Sequence, residues 1–269
     1  MQKELLDRLA SRNTSHSKSL DNKVALIVGG SRGIGRAVAI SLANEGADIV
    51  ISYLRNEVAA KETASRIRKI GRRVMLYRMD LGRCKEIGGM FGEIRKEYGR
   101  LDILIYSAAL GIFKPLLSLS PLQLGRVLDI NAIGFVQCTK QASELMRDGG
   151  SVVAISSLGS QRYFYRYGAL GLAKSCIESA VRYLAVELAP QKICVNCVSG
   201  GPVDTESIQL LPLYKKRRAE CIRLTPAGRI AVPKDIAQVV LFLCKETSSW
   251  IRGQTIVADG GLSLRVMSL

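Results

Sequence analysis

The stretch Lys23–Gly46 constrains the fold more than any other part of the chain. It opens on KVALIV, an unbroken apolar run of the kind that forms a strand buried on both faces of a parallel sheet. Gly29-Gly30-Ser31-Arg32-Gly33-Ile34-Gly35 follows directly, and Arg36–Gly46 then reads as a helix. A glycine turn between strand and helix lets the backbone approach a pyrophosphate, which the helix N-terminus holds. The spacing is G-x3-G-x-G, so Gly29, Ser31, Arg32, Gly33, Ile34 and Gly35 are the first candidate cofactor contacts.

The same rhythm continues down the chain. Strand patterns at Asp48–Tyr53, Arg73–Met79 and Leu101–Tyr106 alternate with helical patterns at Glu57–Gly71 and Arg83–Tyr98. This alternation, with no hairpin signal, predicts a single α/β domain with a doubly wound parallel sheet. Pro121–Met146 reads as one long helix, followed by a strand at Ser151–Ile155 and a further helix running to Leu188. Ile193–Val198, Lys234–Cys244 and Gly253–Ala258 complete the pattern as strand, helix and strand. Residues 1–22 read as a mobile polar extension with a short helix at Glu4–Leu9, leaving 23–269 as the domain. Ser207–Gly228 breaks the rhythm: it is rich in Leu, Pro and basic residues. It is read as part of a substrate-covering loop over about 203–228, because ligands in open α/β sheets bind beyond the strand C-termini.

Strand ends supply the remaining candidates. An NAD-specific site places a carboxylate after the second strand, but here the chain reads Ser52-Tyr53-Leu54-Arg55. Arg32 and Arg55 would instead clamp a 2′-phosphate, which makes NADPH the expected dinucleotide. Asp80-Leu81 is positioned for the adenine, and Ser107-Ala108 is small enough to let a cofactor pass close to the backbone. Asn131, flanked by Ile130 and Ile133 inside a helical pattern, is poor for packing and invites a functional role. A second glycine turn brings Gly201, Val203 and Thr205, the last suited to hydrogen-bonding the nicotinamide amide.

Composition excludes several classes. No apolar run approaches the roughly 18–20 residues of a membrane span, so membrane insertion is not expected. Seven scattered cysteines and a single histidine offer neither a disulfide framework nor a zinc site, and a reduced, cytoplasmic protein with no bound metal fits best. The net charge of +16 favours an acidic partner or surface. Its densest run, Lys215-Lys216-Arg217-Arg218, has no interleaved aromatics, so nucleic acid is not the expected partner.

Ser156–Lys174, SSLGSQRYFYRYGALGLAK, concentrates hydroxyls and a lysine after a strand. Together with the glycine turn, Asp80, Asn131 and the Asn196–Thr205 stretch, it resembles the short-chain dehydrogenase/reductase superfamily over about residues 21–265. That resemblance implies a Rossmann-like, seven-stranded sheet, Ser157 at the usual serine position, a homotetramer, and Lys174 on the nicotinamide ribose. Most members carry Tyr-x3-Lys, whereas here Leu170 stands four before Lys174 and the tyrosine is Tyr167, giving Tyr-x6-Lys. That spacing, with RYLAVELAP, VNCVSGGPVDT, TPAGR and IRGQTIVADGG, resembles the type III enoyl-acyl-carrier-protein reductases of bacterial fatty-acid synthesis. One departure is Tyr106-Ser107-Ala108-Ala109, where the superfamily usually has Asn-Asn-Ala-Gly.

The spacing has chemical content. A helix rises 1.5 Å per residue, so three extra positions move the phenol by roughly 4–5 Å. Reduction of an enoyl thioester places hydride on the β-carbon and negative charge on an oxygen two atoms further away. The resemblance thus implies NADPH-dependent reduction of a trans-2-enoyl chain on an acidic acyl-carrier protein, with Tyr167 polarising the thioester oxygen. Tyr163 is a second candidate substrate contact, and Lys215–Arg218 is the expected carrier docking surface. The alternatives are a carbonyl or 3-ketoacyl reductase and a specialised polyketide enoyl reductase.

Overall fold

The computed structural model describes residues 19–265. Seven strands form one parallel sheet in the order β3-β2-β1-β4-β5-β6-β7. They are β1 (Val24–Val28), β2 (Asp48–Tyr53), β3 (Val74–Arg78), β4 (Ile103–Tyr106), β5 (Gly150–Ser157), β6 (Ile193–Gly200) and β7 (Thr255–Ala258). Winding runs outward from β1 through β2 to β3, then returns to place β4 on the other side of β1, where Val28 pairs with Tyr106. The order reverses at that point, which is where open α/β sheets take their ligands.

Alternation along β1 divides the interior in two. Val24, Leu26 and Val28 face one helical layer and Ala25 and Ile27 the other, as a strand's period of two requires. The first layer is built from α3 (Cys84–Tyr98), α5 (Gly134–Ser143) and α6 (Gly168–Glu187), and the second from α1 (Gly33–Asn44), α2 (Glu57–Lys69) and α8 (Pro233–Leu243). In α1 the buried residues Val38, Ala39, Leu42 and Ala43 recur at helical spacing, and α8 answers with Ile236, Ala237 and Val240. Fully burying each such Ile, Leu or Val contributes about 1.5–3 kcal/mol. Leu20, assigned to the extension by sequence, is buried in the second layer, and its N–H donates to Glu45 O at 2.9 Å. The helix expected at Glu4–Leu9 lies outside the described residues.

Two expectations are corrected. The long helix at Pro121–Met146 is interrupted: α4 (Pro121–Leu128) gives way to a π turn at Asp129–Ile133 before α5 begins. The Asn131 amide donates to Val127 O at 2.8 Å and Leu110 O at 2.9 Å, competing with the backbone ladder. Tyr106 donates its hydroxyl to Ile130 O, one of the carbonyls in this turn. The unusual tyrosine after β4 therefore points into the interior, where a Cβ on Gly134 would lie 2.5 Å from its oxygen.

The second correction is the region read as a loop. It holds a short 3-10 turn at Glu206–Leu210 and then α7 (Tyr214–Leu224). Ile208, Tyr214 and Ile230 form a small core of their own beneath α7. The four consecutive basic residues hide this helix in the sequence, because only Tyr214, Cys221 and Ile222 keep an apolar face.

Candidate active site

A cleft of about 830 Å³ opens at the C-terminal end of the sheet. Its floor is the glycine turn between β1 and α1. Gly29 has φ +82°, and a Cβ there would lie 2.8 Å from the Ala108 backbone, so the two turns touch only because Gly29 has no side chain. Gly33 faces Thr205 of the second glycine stretch. The N-terminus of α1 has no side-chain cap and no acid in its first turn, so its backbone N–H groups remain available to an anion. This donor set fits the pyrophosphate of a dinucleotide.

Arg32 and Arg55 both line the cleft. Arg32 is already engaged: its guanidinium pairs with Glu206 at 2.5 Å, joining the glycine turn to the segment before α7. Asp80 and Leu81 also line the cleft; Asp80 Oδ1 accepts from Gly82 N and Oδ2 lies 3.8 Å from Arg126. Ser107, Ala108, Gly201, Val203 and Thr205 also face the cleft.

The reactive cluster sits where β5 meets α6. Tyr167 is the residue just before the first turn of α6, and Lys174 lies two turns in, so both reach the cleft from one helix. Ser157 ends β5, accepts from Gly159 N at 3.2 Å and faces the cleft beside the Tyr167 phenol. Phe113 stacks on the Tyr167 ring at 6.0 Å, and Phe164 meets it edge-on at 6.1 Å. A Cβ on Gly159 would sit 2.4 Å from that ring, so the phenol is held on three sides. Burial pushes the Tyr167 phenol above its ordinary value, with the nearby Ser157 hydroxyl opposing, so it remains a donor at neutral pH. Lys174 is buried and donates to Ile155 O at 2.7 Å; desolvation lowers it to about 8. Leu170, also facing the cleft, presents only an apolar wall one turn before the lysine.

Three expected contacts lie elsewhere. Gly35 does not line the cleft; it packs against the Gly29 carbonyl and serves the turn's geometry. Asn131 is fully buried behind the cleft, and its Oδ1 has no protein partner. Tyr163 is 86% exposed and does not line the cleft, whereas its neighbours Phe164 and Tyr165 do. Sequence reasoning missed Phe113, Glu206 and Tyr214, none of which belongs to a local motif.

The family described as enoyl-(acyl carrier protein) reductase matches residues 28–263. A 1-cyclohexenylcarbonyl-CoA reductase from Streptomyces collinus is 36% identical over 94% of this chain and 91% of its own length. A hydroxynaphthalene reductase-like protein from Metarhizium brunneum is 32% identical over 91% of this chain and 96% of its own. Among solved structures, a Serratia marcescens short-chain dehydrogenase/reductase variant superposes with a TM-score of 0.86 at 30% identity, covering 91% and 99% of the two chains. Among the described residues, no helix is long and apolar enough to cross a membrane.

Proposed function

The chain belongs to the short-chain dehydrogenase/reductase family, and from that premise we propose that it is an oxidoreductase reducing the carbon–carbon double bond of an α,β-unsaturated thioester. The observation that carries the reading is the placement of a buried phenol beside Ser157 in the cleft: it belongs to Tyr167, while position 170, where a ketoreductase would need it, is an apolar leucine. The Streptomyces relative acts on a substrate whose name specifies a ring double bond conjugated to a thioester carbonyl. Relatives such as this and the hydroxynaphthalene reductase-like protein favour a specialised substrate over routine fatty-acid elongation.

A nicotinamide cofactor supplies the hydride when bound. The chain's own residues do the rest. Tyr167 donates its phenolic proton in a hydrogen bond to the thioester oxygen and stabilises the enolate, as a preorganised donor does at a developing oxyanion. Ser157 stands beside the phenol. Lys174, cationic below about pH 8, keeps the field positive beside the substrate and the cofactor's ribose. The α-carbon then takes a proton from solvent. Outside the cleft, exposed Lys215, Lys216 and Arg218, with Arg217 at its wall, offer cationic ground to the carrier of the thioester, whether coenzyme A or an acyl-carrier protein.

The hydroxynaphthalene reductase-like relative favours a second reading, carbonyl reduction. Parallel oxidation of NADPH and NADH with crotonyl-CoA and acetoacetyl-CoA separates the two. Turnover of the crotonyl thioester is expected; turnover of the acetoacetyl thioester alone overturns the double-bond reading.

NADPH preference rests on Arg32 and Arg55, and Glu206 competes for Arg32. An exposed ion pair of this kind is worth at most about 1 kcal/mol. Glu206→Gln is therefore expected to tighten NADPH binding by up to about fivefold and leave NADH unchanged, measured by fluorescence titration. Equal effects on both cofactors would remove Arg32 from 2′-phosphate recognition.

A further inference from the structure

One buried acid takes no part in the chemistry above. Glu178 lies one turn beyond Lys174 on α6 and is 6% exposed. Its Oε1 accepts from Ser156 Oγ and Ser160 Oγ, each at 2.6 Å, and Oε2 accepts from Gln161 Nε2 at 3.4 Å. None of the ion pairs formed among the described residues involves it. Three side-chain donors, Ser156, Ser160 and Gln161, converge on this one carboxyl. A carboxylate held this deeply costs several kcal/mol in desolvation unless something nearby offsets it.

We infer that Glu178 is a positioning residue for the reaction: it clamps the Ser156–Gln161 turn to α6 and acts as the buried counter-charge of Lys174. The clamp is visible in the geometry. Ser156 closes β5 just before Ser157, and Ser160 follows the glycine on which the Tyr167 ring rests. Ser175, on the same helix, ties the turn a second time by donating to Ser160 O at 2.7 Å. The serine, the tyrosine and the lysine are thereby fixed to one rigid unit.

The counter-charge follows from what surrounds the lysine. Its ammonium has one close protein partner, the Ile155 carbonyl, which is neutral. The titratable groups that act on it are Cys197 on β6 and Glu178 on its own helix. Burial pushes the Cys197 thiol up to about 12, so it carries no charge in the working range. Glu178 alone then opposes the desolvation that drives Lys174 toward its neutral form. At i and i+4 the two side chains are neighbours on the helix surface.

This inference rests on reading Lys174 as the cation that serves nicotinamide-dependent reduction, so its test includes a readout independent of turnover. In full-length protein carrying [ε-13C]lysine, without substrate, the Lys174 resonance is assigned by its loss in Lys174→Arg and followed against pH. Glu178→Gln keeps the side-chain shape and removes the charge; its Lys174 resonance is expected to titrate at lower pH than in the parent protein. Glu178→Asp keeps the charge and is expected to titrate close to the parent. The alkaline limb of kcat should follow: a loss of about tenfold in the Gln variant at pH 8.5, little change at pH 6.5, and no movement of the limb in the Asp variant. A Lys174 titration unmoved in Glu178→Gln, or moved equally in Glu178→Asp, overturns the inference. If Glu178→Gln does not fold, Glu178→Met provides the second route, because it also removes the charge while keeping an extended side chain; a Lys174 titration that does not fall in that variant also overturns it. Should the Lys174 resonance move as expected while crotonyl-CoA is not reduced, the counter-charge stands and only the substrate reading fails.

Discussion

Tyr167→Phe is expected to lower kcat for an enoyl thioester by about 10²–10³-fold, the usual cost of removing one oxyanion donor. The phenylalanine ring keeps the contacts with Phe113, Phe164 and Gly159, so the packing that shapes the cleft survives. Only the hydroxyl beside Ser157 disappears. The dissociation constant for NADPH should therefore hold while turnover collapses, and stopped-flow reduction alongside a fluorescence titration reads the two separately. Near-parental turnover would move the donor role to another group and remove the basis for the double-bond assignment. A matching loss of cofactor affinity would instead make Tyr167 a structural support of the dinucleotide site.

Gly35→Ala is expected to cost about 5- to 100-fold in dinucleotide affinity. The added Cβ would stand 2.2 Å from the Gly29 carbonyl oxygen and 3.0 Å from Gly30 Cα. Both are backbone atoms of the turn itself, so relief requires the turn to move rather than a side chain to swing. Overpacking of this kind costs about 1–3 kcal/mol, and every 1.4 kcal/mol is tenfold in binding. The turn is also where Gly29 meets Ala108 across the switch point, so a displaced turn reshapes the floor of the cleft. Gly88→Ala on α3 is the matched control, because a Cβ there meets nothing within 4 Å. Calorimetric unfolding and NADPH titration of both variants check the expectation; an unchanged affinity in Gly35→Ala would mean that close packing of the turn is not what presents the phosphate donors.

What could be read from the sequence was local. The β1 run, the glycine turn and the start of α1 are contiguous, and their periodicities are properties of neighbouring residues. The same holds for Tyr167 and Lys174, whose seven-residue separation on one helix sets their relative height without help from the rest of the fold. The strand and helix rhythm, and with it the parallel sheet, follows from the same short-range patterning.

Tertiary structure decided what depends on meetings between distant positions. Arg32 and Glu206 are separated by 174 residues and become partners only because both glycine turns end at the same edge of the sheet. Phe113 and Tyr167 stack because the chain after β4 folds over the start of α6. Tyr163 and Tyr165 are indistinguishable by residue type, yet Tyr165 lines the cleft and Tyr163 faces solvent. Asn131 was legible as an anomaly, but the π turn around it depends on Leu110 and on Tyr106 from the neighbouring strand. Sequence thus determined which groups the site contains, because helix and strand geometry fix spacing along the chain. The packed fold decided which of them are desolvated, paired and aimed, because burial and charge depend on neighbours that spacing alone does not name.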